Sequence, residues 1–441
     1  MEFRMKQNFL YLIVVLIVIL LLTSMLFYNL EKPLKRVNDT SSLFVKMDSY
    51  QKGINQPVNG WQFTWKEGYD KDIGVYSNLS VDDEGNCYFC GWNNYLYAVS
   101  SKGILKWNKK AFISTVEATK DGFIITDKSL FDNDGSLLRK LNGMSFTLGN
   151  DGLLYGVDLK FNLLQLTGDL FAKKSEALLP KAVYLIAVDK NNNKKISYKI
   201  PEQLMVSSFR NRVFFDTNSN IYYLLSDFKE SEERYYLFSL NSQGSLRWYK
   251  KLPDNVIIDF TPNGATISNT ILIAYDEANN SDDYGALWEE RRNKPKHLIA
   301  LSTSTGEELW NYDISDWGYL NTSYAVGTDY RFYFAFSAEK ETILHAFSES
   351  GKLLWRRNIV CGECTPPIVD SDNHVYIGVG SGGEFERYLY SFYPDGKTKW
   401  KLKQPNAHAA FDHSLVLGPN QTIYYCTENQ NIIYTVKEKS K

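Results

Sequence analysis

Several side chains in this 441-residue sequence have types and spacings that invite chemistry, beginning with two Cys-x-x-Cys pairs, Cys87/Cys90 and Cys361/Cys364. Thiolates at that spacing grip a zinc ion where the backbone turns back on itself. In a strand, residues three apart point to opposite faces, so Cys87 and Cys90 read as buried thiols. Cys361-Gly-Glu-Cys364 reads as a loop, where a local disulfide or a thiolate pair can form; no βαβ pattern supports a thioredoxin-like role. Cys426 is left over. Of the five histidines, only His408 and His413 are close in sequence, and their spacing would hold a metal on a helix. They read instead as solvated loop residues, because no carboxylates stand at ligand spacing. Asp132-Asn-Asp-Gly135 and Asp282-Asp283 suggest calcium, but neither completes a twelve-residue calcium loop, so turn chemistry accounts for the first and a solvated loop for the second.

Gly-x-Ser-x-Gly, the P-loop and His-Glu-x-x-His are all missing from the sequence. The expectation is therefore no catalytic residue, no cofactor and no metal site.

The elements that would position these groups show a repeat. Leu96-Tyr-Ala-Val99 leads to Gly103 and Trp107, Leu237–Leu240 to Gly244 and Trp248, and Leu298–Leu301 to Gly306 and Trp310. The same unit returns as Leu344–Phe347 with Gly351 and Trp355, and as Leu389–Phe392 with Gly396 and Trp400. Glycine precedes tryptophan by four each time, as expected of an alternating strand, a tight turn at positive φ and an outer strand carrying a flat ring. Upstream turns such as Asp82–Asn86, Asp216–Asn220 and Asp370–Asn373 precede a second strand bearing tyrosine, so each unit has four strands. Degenerate copies end at Arg139 and Tyr198 in place of tryptophan. Outer strands then fall near 65, 107, 139, 198, 248, 310, 355 and 400, a period of about 48 residues, which is the length of a propeller blade.

The ends complement each other. Trp61-Gln-Phe-Thr-Trp65 is an outer strand with nothing before it, while Ser414–Val436 gives three strands with no outer strand after them. Together they make one blade, closing the ring and removing exposed edges. The expected fold is an all-β, eight-bladed β-propeller of four-stranded blades, closed by an N-terminal outer strand and spanning 57–441.

Ala300-Leu-Ser302-Thr-Ser-Thr305-Gly306-Glu-Glu-Leu-Trp310 resembles the tryptophan-docking motif of the PQQ-like β-propeller superfamily, which includes quinoprotein dehydrogenases and BamB-type scaffolds. Ser302 replaces the aspartate common there. The resemblance implies that Trp65, Trp107, Trp248, Trp310, Trp355 and Trp400 are structural rings packed on the neighbouring blade. It also sets two functions against each other. A dehydrogenase would hold PQQ and calcium in the funnel and carry adjacent cysteines, and no two cysteines here are neighbours. The BamB-like alternative, a non-catalytic scaffold, is the better fit, with an extracellular sensor as a further option. The insertion Glu277–Lys296, with Trp288, Arg291 and Arg292, is a candidate recognition loop, and Phe161–Pro180 is a second insertion.

Forty-nine basic and 51 acidic residues balance, which provides no case for nucleic acid as a partner. The 15% aromatic content suits strands. The exception is 9–28, an uncharged apolar run long enough to cross a bilayer, with no small-residue cleavage site. It is expected to be an uncleaved signal-anchor after a short tail, 1–8, and before a stalk, 29–56. Basic residues flank both sides nearly equally; the short N-terminal tail favours a C-terminal domain outside the cytoplasm. The expected protein is thus a single-pass membrane protein whose propeller binds an unknown protein or envelope polymer.

Overall fold

The computed structural model describes residues 43, 46, 51–65, 75 and 77–439, except 112, 128, 142–143, 161–180, 203–207, 230–231, 254–255, 259–260, 263–268, 278–295, 318, 321–322, 338–340, 360–363, 381–386, 405–410, 420 and 428–430. The expected span at 9–28 lies outside these residues. Among the described residues no helix is long and apolar enough to cross a membrane.

Among the described residues, eight sheets follow one another along the chain, seven of four strands and one of six, antiparallel but for one pair in the sixth. Blade one shows the plan: Ser80–Val81, Cys87–Cys90, Tyr95–Val99 and Leu105–Lys110, each paired with the next. The outer strands of blades two to seven are Leu137–Lys140, Lys194–Lys199, Leu246–Lys251, Glu308–Asp313, Leu353–Ile359 and Thr398–Lys403, at the places expected from the repeat. The sixth sheet is larger because Thr261–Pro262 pairs in parallel with Ser323–Val326, and Tyr319–Leu320 pairs with Phe332–Ser337. The fold is an all-β propeller of eight blades.

Burial explains why the middle strands are nearly continuous apolar runs while the outer ones alternate. A middle strand is covered on both faces by neighbouring blades. Cys87–Cys90 and Val375–Val379 are buried at every residue, whereas Leu105–Lys110 is mostly exposed. Cys87 and Phe89 enter the apolar cluster shared with blade eight, and Tyr88 and Cys90 the cluster shared with blade two. The two thiols therefore face opposite sides of one sheet. Burial is the main cause pushing both above the usual thiol range, Cys90 to about 11.

The ring closes on the N-terminal strand. Pro57–Thr64 pairs antiparallel with Ile432–Glu438, in register from Pro57 opposite Glu438 to Thr64 opposite Ile432. The docked segment begins earlier than the expected border at 57, and the compact unit runs from Asp39 to Lys441. The backbone N–H of Ser371 donates to Gln51 O (2.9 Å), Gln421 Nε2 to Gly53 O (2.5 Å), and Ile54 N to the Tyr376 hydroxyl (3.0 Å). Ile54 is fully buried. Asn55 and Gln56 N–H groups donate to the Glu438 carboxylate, and Lys439 N donates to Gln56 O. Gly53 has no alternative, since a Cβ there would collide with the Asp370 carboxylate and the Tyr376 hydroxyl. Residues 51–56, expected as stalk, are thus part of the propeller. Further upstream, Lys46 pairs with Thr119 of blade two and donates to Leu148 O near blade three (2.7 Å).

Candidate functional site

The geometry that recurs from blade to blade is the tryptophan dock. Trp107 Nε1 donates to Asn133 O (2.8 Å), Trp248 to Thr303 O (3.1 Å), Trp310 to Glu349 O (3.3 Å) and Trp355 to Pro394 O (2.8 Å), each across to the next blade's outer turn. At Gly396 (φ +80°) a Cβ would stand 2.6 Å from Trp355 Cδ2, so positive φ and close approach both require glycine. Blade eight has no outer turn, because its outer strand arrives from the N-terminus. Trp400 instead donates to Ile54 O (2.9 Å), so the segment before Pro57 supplies the missing turn.

Two positions differ from expectation. In the closing blade the ring in the docking place is Trp61, whose Nε1 donates to Ser101 O (2.7 Å) and whose face covers Gly103. Trp65 lies at the strand end, buried against Phe89 (centroids 4.9 Å apart) and Tyr97. The reason is a register shift between Asn59 and Gln62, which changes the face that Trp61 presents. In blade three the docking place belongs to Ile196, packed against Gly244, and not to Tyr198. Asn192 (φ +63°) occupies the glycine position there, and counting four onward reaches Ile196.

Arg139 takes the ring's place in blade two. Its guanidinium is buried, with Nε and Nη2 lacking hydrogen-bond partners. Burial lowers its pKa to about 10, partly offset by the Asp189 charge. Beside it, fully buried Lys190 pairs with Asp121 (2.5 Å) and lies over the Phe123 ring (5.0 Å). The junction of blades two and three therefore has ionic contacts where most other docks have an indole.

A second repeated device escaped the sequence reading. Asp82, Asp216 and Asp370 each cap their turn through Oδ1 and hold a tyrosine six residues on through Oδ2: Tyr88 (2.8 Å), Tyr222 (2.8 Å) and Tyr376 (2.7 Å). Burial, then the aspartate charge, raises all three phenols, which stay protonated. Tyr222 also reaches Thr303 O (3.1 Å), the acceptor of the Trp248 dock, so turn, tyrosine and indole converge on one carbonyl. The Asp-to-Tyr spacing was visible in the sequence; the bond between them was not.

This device also accounts for the cluster that most resembles a metal site among the described residues, Asp370, Asp372 and His374. Asp370 Oδ1 accepts from the N–H groups of Asp372 and His374, and Oδ2 lies against Tyr376 and His374 Nδ1 (2.8 Å). Lys399 Nζ stands 3.2 Å from His374 Nδ1, where it already supplies a positive charge. Two of the three donors, the Asp370 carboxylate and the His374 ring, are used within the turn, so these residues do not fit a calcium ion of a PQQ centre, and no cofactor chemistry is derived from them.

His345 is a buried histidine. It sits within a middle strand, stacked on Trp317 (centroids 4.2 Å, 9°) and edge-on to Phe336, with Nδ1 unpartnered. Burial, then the Arg356 charge, lowers it from 6.5 to about 3. The unfolded chain takes up this proton below pH 6.5 while the folded chain does not. Stability from this group is thus complete above 6.5 and declines as pH falls toward 3, by at most about 1.4 kcal/mol per pH unit. His345→Phe is expected to remove about one proton from the slope of unfolding free energy against pH between 6.5 and 4, as measured by urea titration. An unchanged slope would show that His345 does not contribute.

Of the remaining predicted residues, Cys364 forms an isolated bridge with Val379 at the entry to blade seven, and Cys361 lies outside the described residues, as do Trp288, Arg291, Arg292 and His408.

These features define an eight-bladed β-propeller, most of whose blades are joined by indole docks. Residues 232–439 match the family described as outer membrane protein assembly factor BamB, which shows the expected resemblance on its BamB-like side. None of the curated protein sequences matches the chain. Among solved structures, the Dos1 propeller is 10% identical, with 86% of this chain and 96% of that one covered at a TM-score of 0.54. The quinohemoprotein alcohol dehydrogenase of Comamonas testosteroni is 11% identical, covering 88% and 77% at 0.52. At such identities these two likenesses show the fold alone. BamB of Moraxella catarrhalis is 12% identical, covering 91% and 98%, and its TM-score of 0.39 is too low to carry an argument.

Proposed function

We propose that this chain is a single-pass membrane protein, anchored by 9–28, that holds its propeller outside the cytoplasm as a non-catalytic binding or assembly scaffold. The observation that carries the reading is the match of 232–439 to an assembly-factor family. The Asp216–Tyr222 and Asp370–Tyr376 pairs support it, since these convergent polar groups are used within their own turns. The anchor rests on the uncharged run alone.

Two measurements on the full-length chain test the two halves of the proposal. Protease added to intact cells is expected to digest the propeller or release it; complete protection until lysis would overturn the extracytoplasmic placement. Purified chain given PQQ and calcium is expected to leave a redox dye unreduced with alcohols and sugars. Turnover would overturn the non-catalytic reading.

A further inference from the structure

The contacts of the N-terminal segment fall on one face of the ring and on both sides of its axis. Lys46 is bridged to Thr119, just past the first strand of blade two, Val116–Ala118. Its Nζ donates to Leu148 O (2.7 Å), and it stands 3.9 Å from Glu117 Oε1 and 6.0 Å from the centre of the Phe215 ring. Leu148 and Phe215 end the first strands of blades three and four, Met144–Leu148 and Ser208–Phe215. The cradle is braced, since Leu148 N donates to Glu117 Oε2 (3.1 Å). One ammonium group thus meets a carboxylate, a carbonyl and an aromatic face drawn from three consecutive blades.

A short way down the chain the contacts are on the other side of the ring. Gln51 O accepts from Ser371 N (2.9 Å), and Gly53 O from Gln421 Nε2, in the turns that follow the first strands of blades seven and eight. First strands are the innermost of each blade and every blade runs the same way, so all these turns surround one mouth of the central channel. In a ring of eight, blade seven stands opposite blade three, and blade eight opposite blade four. The chain from Lys46 to Gln51 reaches no more than about 18 Å, too little for a detour over the outer strands. Ring closure does not account for the lysine, because the closing ladder is complete from Pro57 to Thr64 without it.

We propose that this segment is a strap fastened across the mouth, with Lys46 as its latch at one end and the fit of Gly53 against Asp370 and Tyr376 at the other, so that a ligand reaches the axis from the opposite face only. The strands that lead into the two insertions, Leu154–Lys160 and Thr270–Glu277, are second strands of their blades and end on that opposite face. The strap therefore leaves free the face on which the insertion with Trp288 begins and returns. The inference depends neither on the anchor nor on the scaffold reading.

The test treats the full-length chain, in neutral detergent, with a water-soluble carbodiimide. Condensation joins Lys46 Nζ to the Glu117 carboxyl as an amide, and the carbodiimide takes up the water lost to become a urea. Mass spectrometry of the digest is expected to find the two peptides linked within one chain, which mixing heavy- and light-isotope protein before the reaction establishes. A strap fastened at both ends makes each end depend on the other. Ser371→Pro removes the N–H that holds Gln51 O, at a turn position that proline suits. It should lower the yield of the Lys46–Glu117 link about fivefold, the weight of one hydrogen bond, and raise the labelling of Glu117 by glycinamide by a similar factor. Gly53→Ala, whose methyl collides with Asp370 and Tyr376, should do at least as much. The Lys199–Glu202 pair (2.9 Å) of blade three is the control and should link equally in all three proteins. If Gly53→Ala fails to fold, Ser371→Pro decides alone. No Lys46–Glu117 link, a link formed only between chains, a yield that no folded variant lowers, or an equal fall in the control would overturn the proposal.

Discussion

A chain that begins at Gly68 is expected to show no cooperative unfolding transition, while one that begins at Leu43 melts like the full-length protein. The first loses Pro57–Thr64, and with it the outer strand of blade eight, the Trp61 dock and the Trp65 contact with Phe89. Truncating a large buried aromatic costs about 3 to 5 kcal/mol, and two are removed here along with a strand ladder. Domains have roughly 5 to 15 kcal/mol in total, so this loss is of the order of the whole. A chain that begins at Pro57 is the informative intermediate. It keeps the strand but loses Ile54, worth about 1.5 to 3 kcal/mol when buried, and leaves Trp400 without its acceptor. We expect it to fold and to melt several degrees below the Leu43 chain. Calorimetry on the three chains checks the order; equal melting of the Leu43 and Pro57 chains would mean that the segment before the strand contributes nothing.

The second large effect is expected from Trp355→Ala. The ring covers Gly396, its Nε1 donates to Pro394 O (2.8 Å), and it packs against Tyr333 (centroids 5.9 Å). It is only partly buried, so the cost should lie at the lower end of the aromatic range, about 3 kcal/mol. A closed ring transmits the loss because each blade is held by its two neighbours, and the whole domain should melt at lower temperature in one transition. Replacing 278–295, with Trp288, Arg291 and Arg292, by a short Gly-Ser link should instead leave melting nearly unchanged, because the paired strand ends at Glu277 and Lys296 are kept. If Trp355→Ala leaves melting unchanged as well, the ring is not a dock.

Much of the scaffold could be read without coordinates because each blade repeats local rules. Glycine four residues before tryptophan marks a turn and the ring that covers it, and the period locates all eight outer strands. Legibility ended where a position departed from its copies. Trp61 and Trp65 both stand on the closing strand, and no local rule says which ring meets Gly103; the register shift between Asn59 and Gln62 decides it. Tyr198 looked like the substitute for a docking ring because it is aromatic, yet Ile196 holds the place, since Asn192 takes the glycine position of the turn. The candidate site was still less legible: Asp370, Asp372 and His374 have the composition of a metal site, and their surroundings include Gly53 and Lys399, which come from two other stretches of chain.

By itself, the sequence determined the secondary structure, the number of blades and the closure of the ring, because strand alternation, turn residues and the docking spacing all act over a few residues. Tertiary structure alone decided two things: that residues 51–56 complete the eighth blade's missing turn, and that Trp61 and not Trp65 covers Gly103. Each depends on which distant residues a side chain meets once the ring closes. Burial, desolvation and the sign of the local field are sums over those neighbours, and linear order does not contain them.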